Sequence, residues 1–283
     1  MMYEPRTLAE YGGRETEAAH RVLVDVGQVL AAYFTDSIVV VGGWVPELLL
    51  HGATPPHSGS IDVDLALDAE KLLDGRYAEI VESLLTTGRY KKTEKTFTLQ
   101  ATVDLGDGGP VVVVDVDFLK PPGKIGRGSG SRLLPGFRPL DADGCAAAFM
   151  NPTKLEIGGK MISGAENVVH VLVASVSDFL IMKAHALANR DKPKDAYDIC
   201  YCLDHMLGGM EEIAGSWRGR LADKLVANAI RLLREKFLSA QSYGPRQVVE
   251  FYAPATRDEV DVEAQRAYQL VARFLRLIDG IEG

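Results

Sequence analysis

Apolar residues recur at helical spacing through "ETEAAHRVLVDVGQVLAAYF" (residues 15–34), which predicts an amphipathic helix. The pattern then contracts to a β-branched run, "SIVVVGG", that reads as a buried strand ending at two glycines. "WVPELLLHG" restores helical spacing, with Pro46 in the first turn and Gly52 near the end. A loop by composition, "GATPPHSGS", leads to a second strand, "IDVDLALD", and a second helix, "AEKLLDGRYAEIVESLLTTG". "YKKTEKTFTLQATVDLG" and "PVVVVDVDFLK" read as a strand pair joined through "DGG", and "AENVVHVLVAS" as a strand closing the sheet. From Ser177 onward the pattern is helical. The expected fold class is therefore α+β: a mixed sheet with flanking helices over residues 1–175, then a helical bundle domain over 176–283.

Two of the predicted strands carry charge where charge is unexpected. Asp62 and Asp64 are separated by one residue, so on a strand their side chains leave the same face. Asp115 and Asp117 repeat that spacing in "VVVVDVDFLK". A single pair of this kind is ordinarily a strand end facing water. Two pairs, each inside an apolar run, point instead to a shared cation, because neighbouring carboxylates repel unless positive charge lies between them. Oxygen-only ligands suit Mg²⁺, which keeps several waters and takes substrate phosphates as its remaining ligands. Two such ions side by side can activate an attacking oxygen and neutralise a leaving pyrophosphate. Gly42 and Gly43 sharpen this reading, since glycine lets the backbone approach a ligand and the helix that follows offers unpaired N–H groups to an anion.

Composition then narrows the setting. The chain has 283 residues, 47% of them hydrophobic, and a formal net charge of −8. A polyanionic partner must therefore meet a local basic patch rather than the whole surface. Lys91, Lys92, Lys95, Lys120, Lys124, Arg127, Arg132 and Arg138 are the candidates. Three cysteines without a C-x-x-C pair argue against a disulfide framework, and a reducing cytoplasm is expected. The first twenty residues lack the apolar core of a signal peptide, and no apolar run approaches the roughly 20 residues that cross a bilayer, so no membrane association is expected. Six histidines show no H-x-x-H spacing, which makes zinc an improbable ligand.

A second informative stretch is "SDFLIMKAHALANRDKPKDAYDICYCL". Ser177 suits an N-cap, and Pro193 restarts a helix on which Asp195 and Asp198 share a face. Arg190 paired with Asp195 or with Asp198 would tie the two helices together. A functional reading has Lys183 reaching a nucleotide phosphate while an aspartate orients the reacting groups.

"VVVGGWVPELLL…GSIDVDLALD…VVVVDVDFL" resembles the signature of the polymerase-beta-type nucleotidyltransferase superfamily. The resemblance implies that Asp62 and Asp64, with a third carboxylate, hold metal ions and a nucleoside triphosphate. The third is Asp115 or Asp117, with Asp117 favoured because "DFL" is similar to the family's acid followed by apolar residues. The family's turn serine is replaced here by Gly43, followed by Trp44, and Ser60 is placed to supply a hydroxyl instead. The second stretch resembles a block of the AbiEii-type nucleotidyltransferase toxins, which include the tRNA-modifying MenT toxins, through Lys183, Ala186, Leu187, Arg190, Lys194, Asp195 and Asp198. In that family the lysine and the first aspartate are functional, which carries over to Lys183 and Asp195, with Arg190 and Asp198 beside the nucleotide. The two resemblances imply a Mg²⁺-dependent transfer of a nucleoside monophosphate to a hydroxyl, with the 3′ end of tRNA as acceptor and an antitoxin as partner. Small-molecule acceptors, as in the aminoglycoside and lincosamide nucleotidyltransferases that share "GGW" and D-x-D, are the alternative. A catalytically silent nucleotide-binding relative is a third reading.

Overall fold

The computed structural model describes residues 4–68, 71, 76–123 and 136–281. It divides into two compact units, Gly12–Val45 with Gly59–Ser175, and Val176–Gly283 with Met1–Tyr11 and Pro46–Ser58. The hydropathy pattern predicts one border at 175/176. In the structure residues 4–11 and 46–58 also group with the C-terminal helices, because their anchors are long-range: Tyr11 lies against Phe251, and Tyr201 donates its hydroxyl proton to the Pro55 carbonyl. Local periodicity carries no information about which core a short segment joins.

The first unit is built on α1 (Gly13–Val29), β1 (Ile38–Val41), the start of α2 (Trp44–Leu49), β2 (Val63–Leu67), α3 (Arg76–Thr86), β3 (Tyr90–Lys92), β4 (Thr98–Val103), β5 (Val112–Lys120), β6 (Leu140–Asp141), β7 (Thr153–Lys160) and β8 (Glu166–Val173). The sheet runs β3-β4-β5-β2-β1-β8-β7, with β6 paired to the end of β5. It is mixed: β1 is antiparallel to β2 and parallel to β8, and β2 is parallel to β5. All four residues of β1 are buried, which is why it reads as an unbroken β-branched run rather than an alternating one. α1 packs on the sheet through Ala18, Ala19, Val22, Leu23 and Val26. Gly27 lets the helix come close, since a Cβ there would sit 2.7 Å from Val169 Cγ2.

Several boundaries differ from the pattern. α1 ends at Val29 rather than near residue 34, and Leu30 and Phe34 are buried in the turns that follow. The stretch expected as one strand before "DGG" is a hairpin, β3 and β4, and β4 then pairs with β5. β7 carries no recognisable pattern: it is an edge strand, only Ile157 of its eight residues is buried, and Gly158–Gly159 removes side-chain signal. The opening of the second predicted helix, up to residue 75, lies outside the described residues apart from Lys71.

The second unit comprises α4 (Val176–Asn189), α5 (Pro193–His205), α6 (Gly209–Arg218), α7 (Lys224–Lys236), α8 (Tyr243–Tyr252) and α9 (Arg257–Ile278). Trp217 and Phe274 meet edge to face at 5.2 Å in its core. Pro193 opens α5 where its missing N–H costs nothing, and Thr256 with Glu259 forms a capping box at the start of α9. Among the described residues no helix is long and apolar enough to cross a membrane.

Candidate functional site

In the α/β unit, parallel pairing of β2 with β5 sets Asp64 directly beside Asp117. Residues paired across strands share a face of the sheet, so the two carboxylates emerge side by side. Asp62 precedes the strand by one residue, and its Oδ1 accepts a hydrogen bond from Ser60 Oγ at 2.7 Å. Trp44 donates its indole N–H to the Asp62 carbonyl oxygen at 2.7 Å. Gly42 has φ +69°, and a Cβ at that position would collide with Asp64 Oδ2. The turn therefore needs glycine both for its backbone and for the carboxylate it accommodates. Gly43 follows it directly and leads into α2.

The two acids of β5 have different surroundings. Asp115 is buried, with Oδ1 accepting from Gln100 Nε2 at 2.9 Å and Oδ2 from Lys95 Nζ at 3.3 Å. Asp117 accepts from Thr98 Oγ1 at 2.6 Å. Burial pushes the Asp117 carboxyl up to about 6; the Thr98 bond works against that shift, while the nearby Asp62 and Asp115 charges add to it. Among the described residues no group of three or more His, Cys, Asp or Glu is drawn tightly enough to hold a metal ion. The donors nevertheless fit a hard divalent cation in kind. They are all oxygens, and the like-charge repulsion felt at Asp117 is what a cation would relieve.

In the helical unit the second motif forms a buried ionic cluster around the turn between α4 and α5. Lys183 donates to Asp195 Oδ1 at 2.6 Å, and Arg190 grips both oxygens of Asp195, at 2.7 and 2.8 Å. Of the two partners the sequence left open for Arg190, Asp195 is thus bound bidentately. Asp198 Oδ2 lies 2.7 Å from Lys183 Nζ as an ion pair too poorly aligned to be a hydrogen bond, and Asp198 Oδ1 accepts from Lys194 at 2.8 Å. Burial alone would lower the Lys183 pKa, but Asp195 and Asp198 outweigh it and hold the amine above its ordinary value. For Asp195 burial is likewise overcome, by Lys183 and Arg190, so the carboxylate stays ionised.

One member of this cluster left no mark in the sequence. His57, in what reads as a plain proline-rich loop, is buried with Nε2 2.9 Å from Asp198 Oδ1. Its ring stacks on Tyr197 at 5.4 Å and meets Tyr201 edge-on at 4.9 Å. Burial first, then the Lys194 charge, bring its pKa down to about 4, with Asp198 opposing. The neutral ring therefore donates Nε2–H to Asp198.

The proposed basic track is only partly assembled. Lys91 and Lys92 are exposed on β3, but Lys95 is engaged with Asp115. Lys120 is buried, bonded to Asp141 and the carbonyls of Pro121 and Gly123, so it does not face a partner. Lys124, Arg127 and Arg132 lie outside the described residues.

Residues 34–269 match the family described as "Nucleotidyl transferase AbiEii toxin, Type IV TA system". No curated protein matches the chain. Solved structures that resemble it include an H. pylori protein provisionally designated a nucleotidyltransferase, at 10% identity and a TM-score of 0.45 over 96% of this chain and 100% of that one.

Proposed function

Starting from a chain that belongs to the AbiEii nucleotidyl transferase toxin family of type IV toxin–antitoxin systems, we propose that it moves a nucleoside monophosphate from a nucleoside triphosphate onto a hydroxyl at the 3′ end of tRNA, in a Mg²⁺-dependent reaction. Nucleotidyl transfer, a triphosphate substrate and a toxin–antitoxin context come with the family. The metal, the acceptor and the residue roles are our reading.

The observation that carries it is the register of β2 against β5, which brings Asp64 and Asp117 together one residue from the Ser60-bonded Asp62. Asp62, Asp64 and Asp117 would hold the ions, and the β5 neighbour Asp115, already satisfied by Lys95 and Gln100, would not. Bound Mg²⁺ supplies Lewis-acid stabilisation to the attacking and leaving oxygens. Gly42 leaves room for the Asp64 carboxylate beside the turn, and a carboxylate of the trio accepts the proton of the acceptor hydroxyl. Within the helical unit, Lys183 donates to Asp195 and pairs with Asp198 at 2.7 Å. Asp195 and Asp198 hold that ammonium charged and in place.

Incubating the protein with each labelled triphosphate, Mg²⁺ and total tRNA tests the reading. Label should enter tRNA, and Asp64→Ala should reduce incorporation by at least about a hundredfold. Incorporation only into small hydroxylated acceptors would replace tRNA with the alternative acceptor class. No Asp64-dependent transfer to either would leave a silent relative.

A further inference from the structure

Resting on the metal reading above, we propose that Thr98 is a positioning residue that orients the Asp117 carboxylate for a divalent cation. One row of side chains crosses three strands. Thr98 of β4 lies opposite Asp117 of β5, and Asp117 lies opposite Asp64 of β2. Side chains paired in this way leave the same face of a sheet, so the hydroxyl stands on one flank of Asp117 and the Asp64 carboxylate on the other.

The row fixes where the Asp117 carboxylate begins but not how it is turned, since the last torsion of an aspartate is soft and roughly two-fold. Among the described residues the only hydrogen bond to that carboxylate runs from Thr98 Oγ1 to Oδ1, at 2.6 Å. The donor is rigid. Thr98 is fully buried, opens β4, and carries a β-branched side chain that is stiff at its first torsion. The main chain beside it is pinned by the Phe118 N–H on the Phe97 carbonyl at 2.9 Å. A hydroxyl also differs in kind from the Lys95 ammonium that sits on Asp115. It holds Oδ1 in place without cancelling the charge, so the carboxylate still attracts a cation through Oδ2.

The test is Mn²⁺ binding to the full chain without nucleotide, followed by the electron paramagnetic resonance signal of free Mn²⁺, beside the melting temperature of each protein. Wild-type binding should disappear in Asp64→Ala. Thr98→Val keeps the branched shape and removes the donor, and should weaken Mn²⁺ binding about tenfold, the low end of what a metal site loses with the partner of one ligand. Thr98→Ser keeps the hydroxyl and should bind within about twofold of wild type. The Mn²⁺ concentration for half-maximal rate should rise about tenfold in Thr98→Val, with kcat recovered at saturating metal. Should Thr98→Val melt too low to study, Thr98→Ala removes the same donor without setting a methyl group against the carboxylate. Asp64-sensitive binding that is unchanged without the hydroxyl, or that weakens as much in Thr98→Ser, overturns the positioning role alone. No wild-type binding, or binding that ignores Asp64→Ala, overturns the metal reading and this proposal with it.

Discussion

Asp115 and Asp117 have identical side chains two residues apart on one strand face, yet their environments differ. Asp115 has a lysine and an amide on its two oxygens. Asp117 has one hydroxyl donor and a pKa raised to about 6, chiefly by burial. A carboxylate already neutralised by its neighbours gains little from a cation, whereas one held in repulsion gains much. Asp117→Asn should therefore abolish transfer, and Asp115→Asn should retain at least about a tenth of the rate while costing about 1–3 kcal/mol of stability, because one of the two acceptor oxygens facing Gln100 and Lys95 becomes an amide donor. Rate measurements and chemical denaturation on the two variants check the pair; equal losses of activity would assign the metal to both.

At the scale of elements, the segment before α1 matters more than its length suggests. Arg6 bonds Glu250 at 2.6 Å and Asp191 at 3.1 Å, Glu4 pairs with Lys192 at 2.9 Å, and Lys194 lies 5.5 Å over the Tyr11 ring. Three of these contacts reach residues 191–194, the turn that carries the second motif from α4 into α5. The charges are roughly half exposed, so each ion pair contributes at most about 1 kcal/mol. The Tyr11 ring, 5.6 Å from Phe251, removes apolar surface from water and should contribute more, about 2 kcal/mol. Tyr11→Ala is expected to lower the denaturation free energy by more than Arg6→Ala, in urea melts of the full chain. The reverse order would make the strap electrostatic.

For the molecule as a whole, acid sensitivity follows from His57. Its folded pKa of about 4 lies below the ordinary histidine value of 6.5. A group depressed in this way contributes stability above pH 6.5 that is lost as pH falls towards 4, because the unfolded chain takes up the proton first. The difference corresponds to about 3 kcal/mol at most. Glu47 and Asp117, both raised by burial, run the other way, and His20, lowered by burial, runs the same way. All three are present in wild type and variant alike, while Asp195 and Asp198, held down by Lys183 and their other cations, titrate below this window. His57→Gln should therefore show a shallower fall in melting temperature between pH 6.5 and 4 than the wild type. Parallel curves would place the acid sensitivity elsewhere.

The chain order of most strands and helices, the two D-x-D pairs and the lysine–aspartate block were legible in the residues, because each is written at a spacing of two, three or four along the backbone. Spacing alone put Asp62 with Asp64 and Asp195 with Asp198. It could not choose between Asp115 and Asp117, since residues two apart on a strand share a face; Gln100 and Lys95, which make the difference, arrive from β4 and the turn before it. Nor could it find His57, whose partner lies 141 residues away, or β7, whose exposed edge and paired glycines leave no alternation to read. Local chemistry and periodicity were thus fixed by sequence, while the charge state of each acid and the company it keeps were decided by which distant side chains the fold brings within hydrogen-bonding range.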